Sequence, residues 1–166
     1  MTTTTSPRIT DDPIGDPEQA MRLVKSIDLG MIRMKLADPF EGKGWTDERL
    51  DLAVREYRRF LTLYVLAPEA ATVPSELVDE VWHAHILDTQ AYASDCQNVF
   101  GFFLHHFPYF GMRGKADARA LDRAYDDTLD RYRAAFGEPP TGVWSHEVVG
   151  KRVRKNCKPQ RCRPRS

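Results

Sequence analysis

SELVDEVWHAHILDTQAYASDCQNVF, residues 75–100, is the stretch that decides the fold. Val78, Val81, Trp82, Tyr92, Cys96 and Val99 recur at intervals that keep them on one side of a helix, and His85 falls on the same stripe. Ser75 follows Pro74, with Glu76 and Asp79 in the first turn, where the helix dipole favours negative charge. The pattern is expected to run to about Phe100, where Gly101 breaks it.

The same periodicity extends on both sides. Upstream, Thr46 is the expected N-cap of a helix with Asp47 and Glu48 in its first turn. Leu50, Ala53, Tyr57, Phe60, Leu61 and Tyr64 form its buried stripe, and Pro68 stops it. An earlier helix starts near Pro17 and buries Met21, Val24 and Ile27, with Gly30 ending or kinking it before residues 31–36. Downstream, residues 102–111 read as an aromatic-rich connection. The last helix spans Lys115 to Phe136, burying Leu121, Tyr125, Thr128, Tyr132 and Phe136, and Gly137 with Pro139 and Pro140 ends it. No stretch alternates at the period of two that a half-buried strand requires. The expectation is an all-α fold, a single compact bundle of about four main helices. A flexible arm (1–16) precedes the helical domain (17–149), and a basic tail (150–166) follows it.

Length and composition agree with one domain. The 166 residues include 42% hydrophobic and 10% aromatic ones, enough to close a core. No apolar run approaches the roughly 20 residues that span a bilayer, and the first residues lack the apolar stretch of a secretory signal. A cytoplasmic protein without a membrane partner is expected.

Four of the five histidines fall within 24 residues: His83 and His85, then His105 and His106. Imidazole is a common metal ligand and the side chain most easily tuned for proton transfer near neutral pH. Helix geometry restricts how they can combine. Residues two apart on a helix point about 160° apart, so one ion cannot take both His83 and His85 unless the helix is broken between Trp82 and Ile86. His85 should face the core beside Trp82, Asp88 and Tyr92. His83 lies one turn after Asp79, a spacing suited to co-ligation or to a carboxylate–imidazole hydrogen bond. The candidate ligands of a divalent transition metal such as zinc or iron are therefore Asp79, His83, His85, His105 and His106, with Trp82, Asp88, Tyr92 and Cys96 lining or supporting the pocket. Against that stand plainer roles: His85 as a satisfied core histidine, Asp79 and His83 as a surface pair, and His105-His106 as part of a loop covering the helix ends.

The segment DEVWHAHILDTQAY (79–92), with Cys96, Phe100-Gly101 and LHHFP (104–108), resembles the glycine-rich domain-containing protein-like family. The resemblance covers roughly residues 46–136. It implies membership in a group built on a Trp-His-x-His helical domain and brings no reaction with it. The 10 glycines here form no glycine-rich tract, so roles attached to such tracts do not transfer.

The zero net charge conceals a division. Residues 151–166 hold eight basic side chains and no acidic one, leaving 16 basic against 24 acidic residues before them, a net of −8. A protein or other acidic partner for the tail is expected. With no aromatic residue to stack on bases, the tail is not expected to recognise specific nucleic acid. Cys157 and Cys162 are separated by four residues, and His146 precedes Cys157 by eleven positions. They make an incomplete zinc set, a local disulfide pair, or reactive thiols beside cationic residues. There is no phosphate loop, dinucleotide fingerprint, nucleophile elbow or His-Glu-x-x-His motif. Two functions follow: a helical interaction or accessory module that contacts a partner through its tail, or a metal-binding protein or metalloenzyme using the His83/His85–His105/His106 region.

Overall fold

A computed structural model describes residues 15–144 and the backbone of residues 158–161. Six helices make up 63% of residues 15–144, so the fold is all-α. They are α1 (Pro17–Val24), α2 (Gly30–Ala37), α3 (Asp47–Leu66), α4 (Glu76–Leu87), α5 (Thr89–Phe100) and α6 (Lys115–Phe136). The expected arm, apart from Gly15 and Asp16, and most of the expected tail lie outside the described residues.

Local chemistry sets most helix ends. Asp16 caps α1 through bonds from the Glu18 and Gln19 amides, ahead of Pro17. Thr46 caps α3 and Ser75 caps α4, each accepting from the amide three residues on. Gly137, at φ 80°, follows α6. Two expectations need correction. Gly30 opens α2 rather than closing α1, because the Asp28 carboxylate takes its amide at 2.9 Å. The helix expected over residues 75–100 is two helices: it stays continuous through Trp82–Ile86 and breaks at Asp88, whose ψ of 71° ends α4 before α5 begins.

α3 is the central element and packs against each of the other five helices. Its expected stripe, Leu50, Ala53, Tyr57, Phe60, Leu61 and Tyr64, is buried. The core around it is strongly aromatic. Trp82, fully buried, has its ring centroid 5.2 Å from that of Phe60 and 6.5 Å from that of Tyr64. Each such side chain contributes about 1.5–3 kcal/mol by leaving water.

Residues 104–107 form a strand, which the hydrophobic pattern did not suggest. This β1 (Leu104–Phe107) pairs antiparallel with the backbone of β2 (Lys158–Arg161), His106 standing opposite Pro159. No helix among the described residues is long and apolar enough to cross a membrane.

Candidate functional site

α4 organises the histidine region. Asp79 and His83 lie one helical turn apart and so share a face. His106 reaches that face from β1, and the route is set by Trp82 and Tyr92. The Trp82 indole N–H donates to the Tyr92 hydroxyl at 2.9 Å, and that hydroxyl donates to the carbonyl of Leu104. The start of β1 is thereby fixed against α4. Because a strand turns alternate side chains to opposite faces, the strand that buries Leu104 also turns His106 inward and His105 away.

Three ligand-type atoms converge as a result. His106 Nε2 lies 3.1 Å from Asp79 Oδ1, and His83 Nδ1 lies 3.5 Å from Asp79 Oδ2. One atom each from Asp79, His83 and His106 falls within 4.8 Å of the others. The imidazole rings of His83 and His106 have centroids 4.5 Å apart, and His106 packs edge-on against Trp82 at 4.7 Å. The Asp79 and His106 side chains are 7% and 10% exposed, whereas His83 is 41% exposed. The cluster therefore has a buried floor and opens outward through His83.

His85 sits in a separate environment. It is buried, with Nε2 3.0 Å from Asp95 Oδ2 and Nδ1 2.8 Å from the Tyr57 hydroxyl. An ionised carboxylate only accepts, which assigns the proton to Nε2 and leaves Nδ1 to accept from Tyr57. Burial pushes the His85 pKa down against the opposing pull of Asp95, and pushes that of Tyr57 well up. His85 is thus a neutral, satisfied histidine bridging α3, α4 and α5.

The sequence-predicted residues divide accordingly. Asp79, His83 and His106 come together. His85 turns to the core, as its place on the apolar stripe implied, but its hydrogen-bond partners are Asp95 and Tyr57 rather than Asp88 or Tyr92. Tyr92 meets it only edge-on, at 4.9 Å between centroids. Asp88 instead terminates α4, its amide donating to the His85 carbonyl. His105 lies half-buried beside Phe103, outside the cluster. Trp82 supports His106 directly. Cys96 is a buried free thiol whose pKa burial raises, in the core rather than at the cluster. His146, Cys157 and Cys162 lie outside the described residues.

Sequence reasoning missed Asp95 as a partner of His85. On one unbroken helix Asp95 would sit about 15 Å further along the axis, and only the break at Asp88 folds it back. It also missed Glu56, which lay between apolar stripe positions and is fully buried.

Comparison with known proteins places the chain in a family. A family model described as UCP032817-like matches residues 31–131, a span containing Asp79, His83 and His106. Glycine-rich domain-containing protein 1 of Arabidopsis thaliana is 31% identical over 96 residues, covering 55% of this chain and 12% of that much longer protein. No solved structure matches. The family model and the plant relative bear out the resemblance carried by the Trp-His-x-His segment, and the chain belongs to the UCP032817-like, glycine-rich domain-containing-like family.

Proposed function

We propose that the helical domain binds a divalent transition-metal ion through Asp79, His83 and His106. The supporting observation is their convergence, from two separate elements, to within 4.8 Å. Ligand atoms about 2.0–2.1 Å from a four-coordinate ion lie roughly 3.3 Å from one another. His106 lies 3.1 Å from one Asp79 oxygen and His83 3.5 Å from the other, distances of that order, and the three ligand atoms together need to draw in from within 4.8 Å. Two imidazoles and one carboxylate suit zinc and ferrous iron alike, and three protein ligands leave a coordination position free for another molecule. Trp82, packed on His106, supplies the apolar backing that holds a ligand ring in place.

The test is metal analysis of protein purified without a histidine tag and reconstituted with zinc or cobalt. One equivalent per chain is expected, lost in Asp79→Asn, His83→Ala and His106→Ala and retained in His105→Ala. Substoichiometric metal, or full binding by all three ligand variants, would reject the centre and leave Asp79 as a hydrogen-bonding hub between two imidazoles.

The charge division supports a second role, as an interaction module whose tail contacts an acidic protein partner. Eight basic and no acidic side chains lie in residues 151–166. Replacing Lys151, Arg152, Arg154, Lys155, Arg163 and Arg165 by Ser, which leaves β2 in place against β1, should abolish salt-sensitive binding to polyglutamate while leaving the unfolding temperature nearly unchanged. Retained binding would remove the tail from that role.

A further inference from the structure

His83 belongs to two features at once. Besides completing the ligand cluster, it lines a groove of about 630 Å³ between α2, the connection that follows α2, and α4. That volume lies within the range of small-ligand sites. Ile32, Leu36 and Ala84 make the groove largely apolar, and Met31 and Leu87 stand on it with 64% and 81% of their surface exposed. Unbranched Met adapts to varied apolar shapes, which suits a lip that closes on a flexible chain.

The charges on the groove indicate where a polar group would go. Lys43 lies 2.7 Å from Glu80 and Lys35 lies 3.5 Å from Glu41, so each ammonium already has a carboxylate. A divalent ion held by two neutral imidazoles and one carboxylate keeps a net charge of +1; the remaining charge lining the groove, the Asp88 carboxylate, lies five residues further along α4, about 7.5 Å from His83 by helix rise, so the positive charge is at the His83 end. An anionic oxygen donor satisfies both that charge and the free coordination position, while its hydrocarbon portion covers the apolar lining.

We propose that the groove binds a small organic carboxylate with an apolar chain, the chain lying along Met31, Leu36 and Leu87 and the carboxylate reaching the metal beside His83. The proposal presupposes the metal centre, so metal occupancy and ligand binding are measured on the same samples.

The experiment uses the full chain loaded with cobalt(II), whose visible spectrum reports its coordination, titrated with octanoate, acetate and neutral 1-octanol. Octanoate should shift the cobalt spectrum and bind about 30-fold or more tighter than acetate, because several methylene groups leave water in the groove. Octanol should leave the spectrum unchanged. Met31→Gln/Leu87→Gln alters exposed positions without adding charge to the groove, and should bring octanoate to within about threefold of acetate without changing the acetate response. Bound cobalt with no preference for octanoate would overturn the groove assignment and leave the metal centre standing. Failure to bind cobalt would overturn both. A concentration-dependent dimer dissolved by the same double variant would assign the groove to a second copy of the chain, and so overturn the proposal as well.

Discussion

His106 Nε2 lies 3.1 Å from Asp79 Oδ1 although 27 residues separate them in the chain. That contact converts a one-turn helix pair, Asp79 with His83, into a three-sided cluster. Asp79→Asn keeps the shape and one acceptor oxygen but removes the negative charge that a divalent ion would require. Its metal affinity should fall by more than the roughly 10–100-fold typical of losing a supporting partner, because a direct ligand is weakened. Competition titration against a chelator checks this, with His105→Ala as the control expected within about twofold of the parent. Equal affinities in Asp79→Asn and parent would contradict the assignment.

Tyr57→Phe tests the separation of the two histidine environments. It removes the hydroxyl that donates to His85 Nδ1, leaving that buried nitrogen without its partner. The expected cost is about 1–3 kcal/mol, measured by urea unfolding. Metal affinity should stay within about twofold, since Tyr57 and His85 stand apart from the ligand cluster. Combining Tyr57→Phe with Asp95→Asn should give a non-additive loss, because both residues act through one imidazole.

What the residues disclosed in advance, and what they did not, follows from how local each signal is. Thr46, Ser75 and Gly137 act within four residues of themselves, and the starts of α3 and α4 and the end of α6 were accordingly legible. The buried stripe of α3 repeats over 20 residues, long enough for its period to stand out. Asp88 gave no comparable signal: Leu87-Asp88-Thr89 contains neither Gly nor Pro, and the stripe runs in register across the break. β1 is only four residues long, and His105-His106 hides any alternation of polarity. Its strand geometry comes from pairing with Lys158–Arg161, about fifty residues further on, and its start is held by Tyr92 on the Leu104 carbonyl, a contact twelve residues distant. For that reason the four-histidine set could not be divided from sequence. Helical geometry separated His83 from His85, but only the strand separates His106 from His105.

Asp117 gives the domain an acid-sensitive joint. Its Oδ2 accepts from the amides of Gly111 at 2.6 Å and Arg113 at 3.2 Å, and its Oδ1 accepts from the Arg113 guanidinium at 2.9 Å. The Arg113 side chain, aided by these amides, holds the Asp117 pKa down to about 2. An unfolded aspartate titrates near 3.9. The folded pKa is therefore the lower one, so the stabilisation is fully present above pH about 4 and is lost as pH falls toward 2. Asp117→Asn should flatten that part of the stability–pH curve and speed amide exchange at Gly111 and Arg113. An unchanged acid limb would show that the carboxylate does not secure this turn. Gly111→Ala should loosen the same turn from the other side, since φ there is 87° and a Cβ would meet the Leu121 side chain at 2.6 Å.

Glu56 is the charge on which the opposite side of the bundle depends. It is fully buried, and four donors from three parts of the chain reach it. Arg55 Nε and Arg59 Nη1 each lie 3.1 Å from Oε1, while the Tyr132 hydroxyl at 2.6 Å and the Trp144 indole N–H at 2.9 Å reach Oε2. The carboxylate thus joins α3 to α6 and to the segment after α6. Glu56→Gln replaces one acceptor oxygen by an amide that itself donates, setting donor against donor at Tyr132 and Trp144 or at the two arginines. The Arg55 and Arg59 side chains are 54% and 27% exposed and can turn to water, but a buried donor left unsatisfied at Tyr132 or Trp144 costs about 1–3 kcal/mol. Urea unfolding should show that loss. Trp144 is only 3% exposed, so its fluorescence should also move to longer wavelength as it loses its partner and meets water. The cluster on α4 and β1 shares none of these contacts, and metal stoichiometry should survive in the folded fraction. A Glu56→Gln protein of parental stability with unshifted Trp144 emission would mean that hydrophobic packing of Tyr132 and Trp144, not the carboxylate, holds the segment after α6 in place.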